Sequence, residues 1–537
     1  LQEPEQEEVR PALTDLGGEA VVIKSVRFTG ATGIVPEADL QQFVAYAIGK
    51  SYTFSQLNML AQRVTSFLKS KGFLLARAYL PHQDVTEGEI EIGILQGRLD
   101  GADGRGAYEV VPKEGGKMRI KPEILSRIGA ASLRAGEPLQ QKSLERAVLL
   151  MNDLPGIKAK ARLEPGSKPD TTRILLDVSE KSLFDTVVWT DNYGGSATGL
   201  VRANASVALN DPLRIGDRLS FNGTHTSGMD LWRVSYSLPV GSSGLKVGVD
   251  FLNMDYEASS DGVASVVALT GSSQARSISA VYPFVRSRVS NLNANFGYGH
   301  KVSKNLIDDV ESSDVREDVL TLGLSGDIYD RLGGGGQTFG SLNLGAGNVN
   351  LSHNAGNAAL DAIGYRAAGD FLKLNYGLAR LQKLPAKFML YAGVSGQFAN
   401  TNLDSGEKFS LGGPTSLRAY SGGEASGDEG WLANVELRYE LPAFALGQPR
   451  LVGFYDVGGI KLHKDVRNQS IDTATGRNDY SLSGFGIGAE LGKADLYQLR
   501  VVWAKKIGDN PGRSITGMNA DGRDLDNQFW LQGALWF

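Results

Sequence analysis

From residue 181 onward the chain abandons helical periodicity and alternates apolar and polar residues in segment after segment. In "LKLNYGLAR" (372–380), Leu372, Leu374, Tyr376 and Leu378 face away from Lys373, Asn375, Gly377 and Ala379. In "ANVELRYEL" (433–441), Ala433, Val435, Leu437, Tyr439 and Leu441 oppose Asn434, Glu436, Arg438 and Glu440. A period of two is that of a β-strand with one oily and one polar face. A soluble sandwich would turn the oily face to a core and the charges to water. A membrane barrel would turn it to lipid and the charges to a wet lumen.

The number of segments separates the two. Strands are expected near 183–193, 198–209, 216–225, 229–239, 244–256, 272–284, 289–302 and 315–329. Others fall near 336–347, 367–380, 386–399, 431–441, 449–459, 480–491, 495–507 and 527–537. About sixteen strands is an even number, as a bacterial outer-membrane barrel requires. The last segment, "NQFWLQGALWF", aligns Phe529, Leu531, Leu535 and Phe537 on one face. An exported barrel typically ends on such an aromatic, so Phe537 is read as an assembly signal. No apolar run reaches the length of a spanning helix.

The first third reads differently. Residues 1–19 form an acidic tail broken by Pro and Gly. In 20–97, "VVIKSVRF" reads as a strand and Pro36 opens a helical stretch through Ile48. A second helix places Leu57, Leu60, Ala61, Val64, Phe67 and Leu68 on one face and ends at Gly72. The strands "FLLARAYL" and "EIEIGILQG" follow. In 98–180 the order repeats, with helices at 122–129 and around Leu144, Ala147, Val148 and Met151, then "IKAKARLEPG" and "TTRILLDVSEK". Two copies of a β-α-α-β-β module result. Each has an open sheet edge, which suits either strand addition by an extended peptide or a plain spacer.

Several stretches resemble the two-partner secretion transporters, the outer-membrane haemolysin and haemagglutinin exporters of the Omp85 superfamily. They are "LERAVLLMNDLPGIKAKARLEPG", "DNYGGSATGLVRANASVALNDPLRIGDRLS" and the loop "KFSLGGPTSLRAYSGGEASGDEGW" (408–431). The resemblance implies two POTRA-like modules ahead of a barrel spanning 181–537. It also implies a loop, about 401–430, that folds back into the barrel. Gly- and Ser-rich composition alone predicts that so long a loop is floppy. The family's loop motif, of the type Val-Arg-Gly-Tyr, falls on Leu417, Arg418, Ala419 and Tyr420, and its partner Phe-x-Asp-x-Gly falls on Phe454, Asp456 and Gly458. Alternation independently turns Asp456 into the lumen, where Arg418 is a fitting partner for a carboxylate. Ala419, standing where the family usually has Gly, implies a less sharply turned tip.

The resemblance further implies a Gram-negative outer-membrane location, with the modules in the periplasm. The partners implied are an unfolded secreted exoprotein as cargo, outer-membrane lipid, and the barrel-assembly machinery during insertion. A barrel-assembly or insertion factor of the same superfamily is the alternative, though such factors usually carry more modules. The chain has no cysteine, hence no disulfide framework, thiolate nucleophile or Cys-ligated metal. A net charge of −5 argues against a nucleic-acid partner, which would want a basic face. His82, His225, His300, His353 and His463 lack ligand spacing, and "GGGG" at 333–336 precedes no helix and reads as a hairpin turn. No catalytic, cofactor-binding or metal site is expected.

Overall fold

A computed structural model of the protein describes residues 20–30, 34–101, 106–113, 118–168, 171–258, 269–467 and 469–537. The acidic tail at 1–19 lies outside them. The chain divides into two compact units: residues through Lys181 with the turn Gly241–Gly244, and the remainder.

The first unit opens with β1 (Val21–Val22), β2 (Ser25–Thr29), α1 (Glu37–Val44), β3 (Ser51–Tyr52), α2 (Phe54–Ser70), β4 (Arg77–Tyr79) and β5 (Glu89–Leu95). Strand β5 lies between β2, which is parallel to it, and β4, which is antiparallel. Helix α2 starts on a capping box: Gln56 N–H donates to Thr53 Oγ1 at 3.3 Å and Thr53 N–H donates to Gln56 Oε1 at 2.8 Å. Its buried face of Leu57, Leu60, Val64 and Leu68 shares a core with Ile90, Ile92 and Ile94. Gly72 takes the left-handed φ of +94° just past the helix.

The expected strand "FLLARAYL" shrinks to Arg77–Tyr79. Leu74 and Leu75 pack instead against the core of the following module. That module contains β6 (Arg98–Leu99), β7 (Tyr108–Pro112), α3 (Pro122–Ser132), α4 (Gln141–Asn152), β8 (Ile157–Pro165) and β9 (Thr171–Glu180). Again the last strand is central, with β7 parallel on one side and β8 antiparallel on the other.

The second unit is the barrel. Its first eight strands are β10 (Phe184–Asp191), β11 (Arg202–Asn210), β12 (Arg218–Thr226), β13 (Met229–Val240), β14 (Leu245–Ala258), β15 (Leu269–Arg286), β16 (Ser290–Ile307) and β17 (Val310–Asp330). Next come β18 (Gly336–Asn350), α5 (Ala355–Ile363), β19 (Gly369–Lys383) and β20 (Phe388–Ala399). Loop 400–428 carries β21 (Phe409–Leu411) and β22 (Ala425–Gly427), which pair only with each other. The series ends with β23 (Glu429–Glu440), β24 (Gln448–Lys461), β25 (Asp479–Lys493), β26 (Tyr497–Ile507) and β27 (Asn527–Trp536).

Sixteen antiparallel strands, β10–β20 and β23–β27, close into one barrel. The closing seam pairs Val187–Asp191 of β10 with Gln532–Trp536 of β27. Leu378, Val435, Leu437, Leu451 and Ile487 are exposed on the outside, while Glu436 and Asp456 on the alternate face are buried. The "GGGG" stretch is the turn between β17 and β18, with Gly333, Gly334 and Gly335 all at positive φ. Helix α5 was not signalled by the strand pattern.

Candidate functional site

Loop 400–428 follows the eleventh barrel strand and does not behave as its composition suggests. β21 and β22 make it a hairpin, with Leu411 opposite Ala425. Beyond them the tip is folded by backbone turns: Gly413 N–H donates to Tyr420 O at 2.9 Å, and Tyr420 N–H to Leu417 O at 3.1 Å. The tip also has its own apolar core. Leu411, Leu417, Ala419, Tyr420 and Ala425 are buried with Leu432, Phe454, Tyr480, Leu482, Val502, Ala504 and Trp530 from β23 to β27. The expectation of a floppy loop is thereby corrected. Gly and Ser measure local freedom, whereas order here comes from barrel side chains far away in sequence.

Arg418 sits at the centre and is 3% exposed. Its Nε donates to Asp456 Oδ2 at 2.8 Å and its Nη2 to Asp456 Oδ1 at 2.6 Å, a bidentate fork. Its backbone N–H donates to the same Oδ2 at 3.1 Å. Asn434 Nδ2 adds a bond to Asp456 Oδ1 at 2.7 Å, so this carboxylate, at 0% exposure, has four donors. The remaining guanidinium arm, Nη1, donates to Glu436 Oε1 at 2.6 Å. Glu436 Oε2 in turn accepts from Arg438 Nε at 2.8 Å and Nη2 at 2.6 Å. The guanidinium carbon lies 3.5 Å from the ring centroid of Phe454, a cation–π stack. Trp530 Nε1 donates to Arg418 O at 2.8 Å.

The structure therefore brings together Leu417, Arg418, Ala419, Tyr420, Phe454, Asp456 and Gly458. A methyl built on Gly458 would lie 2.8 Å from Leu411 Cδ2, so this glycine makes room for the hairpin. Ala419 has no positive φ, so its methyl costs the turn nothing and the tip is not loosened there. That methyl instead rests over Gly484 of β25, where an added Cβ would stand 2.2 Å away. Phe537 is elsewhere: it is 77% exposed just past β27, and its N–H donates to Thr186 O at 2.9 Å.

Sequence reasoning missed Glu436, Asn434, Trp530 and Gly484 as parts of the site. The signal for Glu436 and Asn434 was present, because alternation in "ANVELRYEL" puts both on the lumen face that carries Arg438. Alternation in "NQFWLQGALWF" likewise turns Trp530 inward, opposite Phe529 and Leu531, whereas nothing local marks Gly484.

Removing one partner of a buried, hydrogen-bonded ion pair costs on the order of 3–5 kcal/mol. Arg418→Ala strands two carboxylates, of which Glu436 keeps Arg438 while Asp456 keeps only neutral donors, Asn434 and the backbone N–H of residue 418. Arg418→Ala and Asp456→Ala should therefore each raise channel conductance and protease cleavage within 412–424, with non-additive coupling in the double variant. Additive effects would remove Asp456 as the anchor. Exchanging the two charges should recover little, because a carboxylate at 418 would face Glu436. Adding Glu436→Gln to the exchange should improve recovery. Separately, Gly484→Ala should expel the tip, and Ala419→Gly should restore it in the double variant; the same proteolysis assay reads both.

The pattern of the family described as haemolysin secretion/activation protein ShlB/FhaC/HecB matches residues 170–491, and that of the POTRA domain, ShlB-type, matches 21–97. The heme/hemopexin transporter protein HuxB of Haemophilus influenzae is 27% identical over 512 residues, covering 92% of this chain and 83% of the relative. The hemolysin transporter protein ShlB of Serratia marcescens is 25% identical over 477 residues, covering 86% and 79%. Among solved structures, CdiB from Escherichia coli superposes with a TM-score of 0.74 at 18% identity, over 99% of this chain and 93% of that one, a likeness of fold. With more than half of its length matched, the chain belongs to the ShlB/FhaC/HecB haemolysin secretion/activation family of two-partner secretion transporters, proteins of the outer membrane.

Proposed function

We propose that the barrel moves an unfolded secreted protein from the periplasm to the cell surface, with loop 400–428 as the element that must shift to open the lumen. The observation that carries this reading is the buried set of Arg418, Asp456, Asn434 and Glu436. It is a polar lock inside the barrel. Water or passing peptide groups can replace its bonds one at a time, which is what a reversible plug needs and a closed apolar core would refuse. The sequence carries no nucleotide-binding motif, so folding of the cargo outside the cell is the proposed driving force.

The two N-terminal modules, in this reading, lie in the periplasm and take the cargo by strand addition. Their edges are not equally open. In the first module the N–H of Ala78 on β4 donates to Thr65 Oγ1 at 2.8 Å, which caps that edge from α2. In the second, Asn152 of α4 caps Ala159 on β8 with both ends of its amide, at 2.8 and 3.0 Å. Beyond that cap, alternation along β8 turns the backbone groups of Ala161 and Leu163 outward, on the side away from β9. This short edge is the proposed capture site.

Ala161→Pro removes an outward donor and leaves the bonds to β9 in place. It should cut secretion several-fold with barrel levels unchanged. Normal secretion by this variant would sink the edge of β8 as the capture site. The point change is cleaner than deleting 20–97, because Leu74 and Leu75 belong to the second module's core.

Phe537 is proposed to act earlier, in insertion by the assembly machinery, together with the outward row of Phe529, Leu531 and Leu535 against lipid. Phe537→Asp should lower the amount of heat-modifiable barrel in the membrane fraction. If barrel levels hold and cargo export alone falls, Phe537 is no assembly signal.

A further inference from the structure

The lock described above engages one side of the loop tip. The other side, four residues past Tyr420, carries Glu424, a buried carboxylate with no cation bonded to it among the described residues. Its donors are neutral. Ser421 Oγ donates to Oε2 at 3.0 Å, Asn510 Nδ2 to Oε1 at 2.6 Å and Ala520 N–H to Oε1 at 3.2 Å.

Two of these donors come from segment 508–526, which joins β26 to β27 at the end of the barrel bearing the long loops. The segment is preorganised around the contact. Asn510 Nδ2 also donates to Asn519 Oδ1 at 3.0 Å, Gly512 N–H to Asn510 Oδ1 at 3.0 Å, and Asn519 Nδ2 to Arg523 O at 2.7 Å. Asn510 and Asn519 are 4% and 5% exposed, an unusual depth for amides in a surface connection. Beneath them, Lys506 of β26 holds its Nζ 4.9 Å from the Tyr420 ring centroid and makes no hydrogen bond in the described structure. A buried ammonium without an acceptor is costly, so the ring face and the nearby carboxylate are what offset it.

We propose that Glu424, Asn510 and Lys506 form a second latch, which couples the tip of loop 400–428 to segment 508–526 and makes that segment the surface handle for releasing it. These are positioning residues: they act through where they hold Tyr420 and Arg418. The proposal rests on loop 400–428 being the gate, and the test keeps the two apart.

Asn510→Asp sets a carboxylate against Glu424. In the full-length protein in detergent, trypsin should then cut after Arg418 roughly tenfold faster, because cleavage follows the population of the open form. Conductance in planar bilayers should rise in parallel. Glu424→Gln combined with Asn510→Asp exchanges carboxylate and amide across the contact and should bring both readouts back towards the parent. Heat-modifiable migration reports barrel integrity in each case. Should Asn510→Asp fail to form a barrel, Asn510→Ala removes the donor without adding charge and should still speed cleavage a few-fold. Cleavage at the parent rate in the folded variant, or no rescue in the double variant, overturns the second latch. If Arg418→Ala opens the channel while Asn510→Asp does not, the gate stands and the latch falls. If neither opens it, both fall.

Discussion

A backbone that crosses hydrocarbon has to satisfy every N–H and C=O within itself, and the rest of this structure follows from that demand. Sixteen strands meet it by closing on themselves, the last against the first through Val187–Asp191 and Gln532–Trp536. Closure leaves the pleat to sort side chains into two populations. Leucines, valines and aromatics face outward, and Asn, Glu, Arg and Asp face inward. Any segment that enters the interior therefore meets charged walls as well as empty space.

Loop 400–428 meets both with different parts of itself. Its flanks and tip bury Leu411, Leu417, Ala419 and Tyr420 against β23 to β27, while Arg418 delivers one positive charge between two carboxylates. Arginine suits the position better than lysine would. Its planar fork spans Asp456 with two bonds, a third arm reaches Glu436, and the flat face lies on Phe454. Each buried charge is compensated, so the arrangement is stable while it lasts and strongly disfavoured once any member is lost. That steepness distinguishes a lock from general packing.

The N-terminal modules show a complementary way of handling unpaired backbone. Each has the same three strands in the same order, and in each the antiparallel edge strand is capped by a side chain from the second helix, Thr65 in one and Asn152 in the other. Exposed edges invite indiscriminate pairing, and such caps shorten what is on offer.

Much of this was legible beforehand, because it depends on patterns that the chain writes locally. Period-two alternation in segments such as 372–380 and 433–441 marks strands and their faces, and it turns Asp456 and Glu436 inward without reference to any neighbour. Helical period and Gly72 likewise outline α2. Residues 73–80 look like a full strand in sequence because Leu74 and Leu75 are apolar for the sake of another module's core. Helix α5 escaped because it interrupts a run of strands without disturbing their alternation. What only the tertiary structure decided is which distant groups meet. Order in a Gly-rich loop comes from Trp530 and Tyr480, room for Ala419 comes from the missing side chain of Gly484, and the fate of Glu424 depends on Asn510. None of these pairings has a local period to reveal it. They arise when barrel closure brings the last strands around the loop, and the chemistry of the site is set there.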